Sequence, residues 1–433
     1  ADAEAAGLSI ELVIETHFHA DFLSGHLELA KATGARIVYS SVAETEFDAM
    51  SVGDGERYAL GDGPDAVVLE FRHTPGHTPE SMSIVVWERA GDIDAGDGAG
   101  GVPFGVFTGD TLFIGDVGRP DLLASIGFTR EELAAMLYDS LHTKLMTLPD
   151  ATAVYPAHGA GSACGKNLST ELSSTIGVQK ASNYALRAPD KATFMALVTE
   201  GQPPAPGYFV YDAILNRKDR DLLDETAMPA ALTYERMREL VAGGAMLVDG
   251  RDPEEFALGH LVGAVNVGLG GRYAEYAGSV VPSDVDIVLF VDEGYELEAK
   301  TRLARIGFDR VVGYVAEPTK TMLEHQDDVR HASRLTAVDF EQRREELADL
   351  QLVDVRNPGE VDGGTIADAT NIPVGQLPDR LVELDPSKPT VVFCAGGYRS
   401  SVAASLLRQA GFADVSDIVG GYTAWAEQVL TPA

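Results

Sequence analysis

Two cysteines in 433 residues, Cys164 and Cys394, exclude a disulfide framework and fit a reducing cytoplasm. No uninterrupted apolar run approaches the ~20 residues that a membrane-spanning helix needs, so no span is expected. Positive charge is scarce: 33 Lys and Arg face 67 Asp and Glu, a formal net charge of -34. Such a chain repels phosphate backbones and anionic lipid, which disfavours nucleic acid and membranes as partners; a well-solvated surface is the plainer use of this charge. What remains is the composition of a folded chain, 45% hydrophobic and 23% charged, long enough for two to four domains.

Histidines and aspartates stand at informative places. Thr16-His17-Phe18-His19-Ala20-Asp21 follows the apolar run from Leu8 to Ile14, and Gly76-His77-Thr78, Thr108-Gly109-Asp110 and Pro156-Ala157-His158-Gly159 come later. Four such elements, each after a strand-like run, predict a metal site assembled at one edge of packed sheets. Their order resembles the metallo-β-lactamase superfamily over the first half of the chain. Two-metal hydrolases of that superfamily usually continue the first motif with a histidine where this chain has Phe22. Phenylalanine has no lone pair to donate, so one metal is favoured over two. His17, His77 and Asp110 offer two imidazoles and one carboxylate, a facial triad suited to non-haem Fe(II).

The pattern then resembles the persulfide dioxygenases, with Gly118-Arg119-Pro120-Asp121 similar to a loop that follows the ligands in that family. The resemblance implies His17, His77 and Asp110 as ligands of one Fe(II) per chain, with zinc an alternative occupant of recombinant protein. It implies His19, Asp21 and His158 as residues that orient ligands and substrate by hydrogen bonds without binding the metal. Cys164, six residues after His158, is either a persulfide-handling thiol near the metal or a small residue packed under a Gly-rich loop. The chain starts at Ala1 with one strand before the first motif, where superfamily members carry several; further N-terminal residues are therefore expected.

Past the metal region, Leu133, Met136, Leu137, Leu141, Leu145 and Leu148 form a helical stripe within 131–148, on which His142 reads as structural. Segments 166–187 and 191–199 are also predicted helical, and Pro203-Pro204-Ala205-Pro206-Gly207 a turn or linker. Beyond Met228-Pro229 the chain repeats itself. Leu247-Val248-Asp249-Gly250-Arg251-Asp252-Pro253 parallels Leu352-Val353-Asp354-Val355-Arg356-Asn357-Pro358, and Asn266 parallels Asn371. Alternating strands and amphipathic helices predict two small doubly wound α/β domains, and the shared Leu-Val-Asp-x-Arg-x-Pro pattern resembles rhodanese sulfurtransferases.

In the second copy the strand Val391-Val392-Phe393 leads into Cys394-Ala395-Gly396-Gly397-Tyr398-Arg399 and a helix from Ser400. Such a loop wraps backbone N–H groups around sulfur while Arg399 and the helix N-terminus stabilise a thiolate, so Cys394 is expected to be a low-pKa nucleophile that carries sulfane sulfur. The loop is one residue shorter than the C-x5-R loop of cysteine phosphatases, which favours sulfur over phosphate. The first copy has no cysteine; Phe290-Val291-Asp292-Glu293-Gly294-Tyr295 replaces the loop, so this domain is expected to be inactive and to serve packing, spacing or homo-oligomerisation.

Together the chain resembles a fused persulfide dioxygenase and sulfurtransferase. The implied fold class is multidomain α/β: an αββα metallo-β-lactamase-like sandwich over 1–228, an inactive rhodanese-like domain over 229–328 and an active one over 329–433. The implied substrates are a low-molecular-weight thiol persulfide and O2. Sulfite is the implied first product, which Cys394 converts to thiosulfate, an activity suited to sulfide detoxification. Two other classes stay open: a binuclear thiolester hydrolase of the glyoxalase II type, and a sulfur-relay protein with a vestigial metal site that works through Cys394 alone.

Overall fold

The computed structural model describes residues 2–93, 101–122, 127–166, 168–202, 204–347 and 349–430. The chain divides into two compact units, the first holding Ala1–Gln202 and Asp212–Leu222, the second Pro203–Tyr211 and Leu223–Ala433. No helix among the described residues is long and apolar enough to cross a membrane. Pro203, in the expected linker, lies outside the described residues.

The first unit contains two sheets. Strands β1 (Leu12–Ile14), β2 (Arg36–Ser40) and β3 (Met50–Val52) form a parallel sheet of three; β4 (Arg57–Leu60), β5 (Val67–His73), β6 (Met82–Trp87), β7 (Gly105–Gly109), β8 (Ala153–Pro156) and β9 (Ser174–Thr175) form a sheet of six in sequence order. Period-two alternation sorts side chains into layers. From β2, Val38 joins Phe71, Met82 and Ile84 between the sheets, while Ile37 and Tyr39 face the helix His26–Thr33 on the other side. From β5 and β6, Val68 and Val85 turn the opposite way and meet Leu137, Leu141 and Leu145. The outcome is helix, sheet, sheet, helix, as the sequence led us to expect.

The helical stripe is realised in two pieces. Thr129 and Glu132 form a reciprocal capping box at the start of the helix Arg130–Ser140, a device worth about 1 kcal/mol. The chain then loosens into a π-helical turn over Leu141–Leu145, keeping Leu141 and Leu145 buried. His142 stacks on Tyr138 with its Nδ1 against the Tyr138 carbonyl at 2.8 Å, a structural role. The expected helix over 166–187 is corrected: only Ile176–Ser182 is helical, begun by Thr175, which accepts the N–H of Val178. The residues before it instead form an irregular stretch over 168–173 and β9, because Ser169, Thr170, Ser173, Ser174 and Thr175 offer side-chain hydroxyls that compete for backbone groups and disfavour a helix interior.

The second unit repeats one topology. In the first copy β10 (Ala231–Leu232), β11 (Met246–Asp249), β13 (Val265–Asn266), β14 (Ile287–Phe290) and β15 (Val311–Val315) form a parallel sheet in the order β10-β15-β14-β11-β13, and β12 (His260–Leu261) pairs with β16 (Val329–Arg330). In the second copy β17 (Ser333–Leu335), β18 (Gln351–Asp354), β19 (Thr370–Asn371), β20 (Thr390–Phe393) and β21 (Val415–Ile418) give the matching order β17-β21-β20-β18-β19. The repeated motif is explained by one local structure. Arg251 folds back on Asp249 with bonds of 3.0 and 2.6 Å, and Arg356 does the same on Asp354 at 3.0 and 2.6 Å. Each arginine also donates to a glycine carbonyl, Gly259 or Gly364. Both pairs are buried, so this motif is scaffold rather than chemistry.

Candidate metal centre and sulfur-transfer loop

Strands β5, β7 and β8 run in the same direction, so the loops after them, bearing His77, Asp110 and His158, open at one edge of the six-stranded sheet. The loop after β1 brings His17, His19 and Asp21 to the same place: ligand-capable atoms of His17, His77 and Asp110 lie within 4.8 Å of one another, as do those of His19, Asp21 and His158, and of Asp110, His158 and Cys164.

Hydrogen bonds aim the first set. Nδ1 of His17 lies 2.9 Å from the Thr16 hydroxyl, and Nδ1 of His77 lies 2.9 Å from the Arg119 carbonyl. With the Nδ1–H of His77 donated to that carbonyl, its Nε2 keeps a free lone pair. Nε2 of His77 is 3.4 Å and Nε2 of His17 3.9 Å from Asp110 Oδ2. These two nitrogens and both Asp110 carboxylate oxygens are buried without a hydrogen-bond partner. Orphaned acceptors of this kind are costly unless something positive sits among them, so the residues fit a bound cation. Burial, reinforced by the neighbouring imidazoles, holds the His17 pKa well below its ordinary value, which keeps the ring neutral and able to ligate.

The second set surrounds the first. Nε2 of His158 lies 3.4 Å from both Asp110 and Asp21. His19 packs 4.2 Å from the His17 ring and stacks on Phe22 at 4.4 Å; its Nε2 is 3.5 Å from Glu15. Burial lowers the His19 pKa to about 4 and raises that of Glu15 to about 7. Cys164 is buried, and burial together with Asp110 pushes its thiol well up.

Arg119 ties these parts together, and the sequence hinted at its loop without showing how. Its guanidinium, buried, makes a two-pronged pair with Asp121 at 2.8 and 2.7 Å and reaches the Ala163 carbonyl at 3.2 Å. Its N–H donates to the Cys164 carbonyl at 3.0 Å while its own carbonyl holds His77. Gly118 is required here: a Cβ would stand 1.9 Å from the Asp110 carbonyl oxygen and 3.1 Å from His77 Nδ1. Thr16 was the other orienting residue that reading the motif alone passed over.

In the second unit, Cys394 follows β20 and is buried. Its sulfur accepts the Gly397 N–H at 3.1 Å and lies 3.7 Å from the Ser400 hydroxyl. The helix behind it, Tyr398–Gln409, starts two residues earlier than the spacing suggested. Arg399 is held in a two-pronged pair with Glu360 at 2.6 and 2.7 Å, yet it stays near enough for its charge and that of the sulfur to interact. Gly421 and Tyr422 close the loop from outside: the Tyr422 N–H donates to the Cys394 carbonyl at 2.7 Å. Gly421, at φ +56°, leaves room where a Cβ would be 2.2 Å from that oxygen. Ser400, Glu360 and the Gly420-Gly421 pair were not singled out from sequence; the glycine pair after an apolar strand was the available signal. In the first copy Asp249 pairs with Phe290, as Asp354 pairs with Phe393 in the second. That register places Val291, buried and apolar, where the second copy has Cys394.

Comparisons with known proteins agree with this division. Residues 233–317 and 336–428 match the rhodanese-like domain family. A sulfurtransferase of Allochromatium vinosum is 37% identical over 89 residues, 21% of this chain and 83% of that protein. The mitochondrial persulfide dioxygenase of Mus musculus is 31% identical over 153 residues, 35% of this chain and 50% of that protein. This chain thus spans about half the length of the persulfide dioxygenases it matches. Among solved structures, a metallo-beta-lactamase from Staphylococcus aureus aligns with a TM-score of 0.61 and 31% identity, over 72% of this chain and 86% of that one. The chain therefore belongs to the family in which a metallo-β-lactamase domain is fused to two rhodanese-like domains.

Proposed function

We propose that the protein is a non-haem Fe(II) persulfide dioxygenase coupled to a rhodanese sulfurtransferase, with domains over 1–228, 229–328 and 329–433. The observation that carries the reading is the set of buried, unpartnered His17 Nε2, His77 Nε2 and Asp110 oxygens, a two-histidine, one-carboxylate donor set suited to Fe(II) with open positions. The likeness to persulfide dioxygenases supports it. The ion, when bound, supplies the redox chemistry that closed-shell sulfur needs to react with dioxygen. Overall, a thiol persulfide, O2 and water give the thiol, sulfite and two protons.

The chain's own residues do the rest. Thr16 and the Arg119 carbonyl orient the two imidazoles, and His158 with Asp21 offers a donor and acceptor pair beside Asp110 to hold substrate. In the second unit, the Cys394 thiolate attacks the outer sulfur of a second persulfide; the thiol leaves, and the new cysteine persulfide stays on the loop where Gly397 N–H contacts the sulfur. Sulfite then takes that outer sulfur, forming thiosulfate and returning the thiolate.

A second reading has one observation in its favour: His19, Asp21 and His158 form a further group with metal-ligand spacing, as a binuclear hydrolase would need. Phe22, stacked on His19, stands against it. The deciding experiment is oxygen uptake by Fe(II)-loaded protein given glutathione persulfide, with metal content, sulfite and thiosulfate determined on the same sample. One iron per chain with stoichiometric uptake is expected, and Cys394→Ser shifts product from thiosulfate to sulfite. Two metals per chain with thiolester turnover and no uptake would overturn the proposal.

A further inference from the structure

The copy without a cysteine grips the active copy at the element that carries the sulfur loop. Tyr398 stands between Gly397, whose N–H contacts the Cys394 sulfur, and Arg399. Its hydroxyl donates to the Gly268 carbonyl of the first copy at 2.6 Å. Its ring lies so close to Gly271 that a Cβ there would stand 2.3 Å from it, and it packs 5.4 Å from the ring of Tyr276. One and two turns along the same helix, Ser401 donates to Asn266 Oδ1 at 2.7 Å and Ser405 accepts the Asn266 N–H at 2.9 Å.

The gripping loop is itself held firmly. Arg302 donates to the carbonyls of Leu269 and Gly271 at 2.6 and 2.8 Å. Asn266 anchors its amide on the Asp249 and Arg251 carbonyls at 3.1 and 2.9 Å, bonds that Asn371 repeats in the second copy. The sequence repeat thus uses one asparagine twice, and in the first copy its remaining groups are turned onto the helix behind Cys394.

We propose that the first copy is a working part of the Cys394 site: its Gly268–Gly271 loop, backed by Arg302 and Asn266, sets the position of Tyr398, and Tyr398 is a positioning residue for the Gly397–Arg399 half of the sulfur loop. This rests on the reading of Cys394 as the sulfur carrier. A rigid second shell of this type decides whether donors sit where a reacting atom needs them.

The test uses the full chain. Gly271→Ala displaces the Tyr398 ring; it is expected to lower kcat for sulfur transfer from thiosulfate to cyanide by tenfold or more. It also shifts the pH profile of Cys394 alkylation by iodoacetamide, followed by peptide mass. In a Tyr398→Ala background the same substitution adds nothing to either readout. Tyr398→Phe, which keeps the ring and removes one hydrogen bond, gives a smaller loss of a few fold with an unchanged melting temperature. Wild-type transfer and alkylation in Gly271→Ala would overturn the inference, as would equal losses with and without Tyr398. Absence of transfer in the wild-type protein would instead sink the sulfurtransferase reading, and the alkylation profile would still decide the positioning of Cys394.

Discussion

Substituting Gly118 by alanine tests the metal centre at its tightest point. An added Cβ meets the Asp110 carbonyl oxygen at 1.9 Å and His77 Nδ1 at 3.1 Å, whereas carbon and oxygen in contact need about 3.3 Å or more. Something must therefore move by more than an ångström. The neighbours have little freedom, since Arg119 is locked by Asp121 and by the Cys164 carbonyl. Metal–ligand distances tolerate only about 0.2 Å, and loss of orienting contacts typically lowers affinity 10- to 100-fold. That is roughly 1.4 to 2.8 kcal/mol of binding free energy. Competition against a chromogenic chelator for Fe(II) or Zn(II) measures it directly, and sulfur transfer from thiosulfate to cyanide, retained in the variant, reports that the second unit is folded. Wild-type metal affinity in Gly118→Ala would refute the claim that Asp110 and His77 are held in place through this loop.

Leu141, fully buried against the six-stranded sheet, should cost about 2 to 5 kcal/mol on truncation to alanine; denaturant unfolding of metal-loaded protein checks this, and a change under 1 kcal/mol would mean the layer repacks freely. His260 makes a pH prediction in the second unit. Burial foremost lowers its pKa to about 4, while the unfolded chain takes up its proton near 6.5. A folded-state pKa below the unfolded one means the unfolded state binds more protons as pH falls through 6.5 toward 4, so this group destabilises the fold progressively over that window. Relative to His260→Gln, the wild type should therefore lose on the order of 2 kcal/mol between pH 7 and pH 4; parallel stability curves for the two proteins would contradict the assignment.

Much was determined by the sequence alone. Strand-like runs ending in His and Asp motifs carried the gathering of candidate metal-binding groups at one sheet edge, because strand direction decides at which end the following loop opens, while the resemblance to persulfide dioxygenases separated expected ligands from their neighbours. The repeat carried the twofold use of one small α/β domain, since the Asp-x-Arg turn is a local structure that its own residues build. Other features are contacts between segments far apart along the chain, and no window of sequence contains them. Gly118 is required because Asp110 and His77 converge on it, and Arg119 matters because its carbonyl faces one loop while its side chain faces another. The grouping of His19, Asp21 and His158, and the hold of Gly268 and Asn266 on the Cys394 helix, likewise exist only after the sheets have brought their loops together.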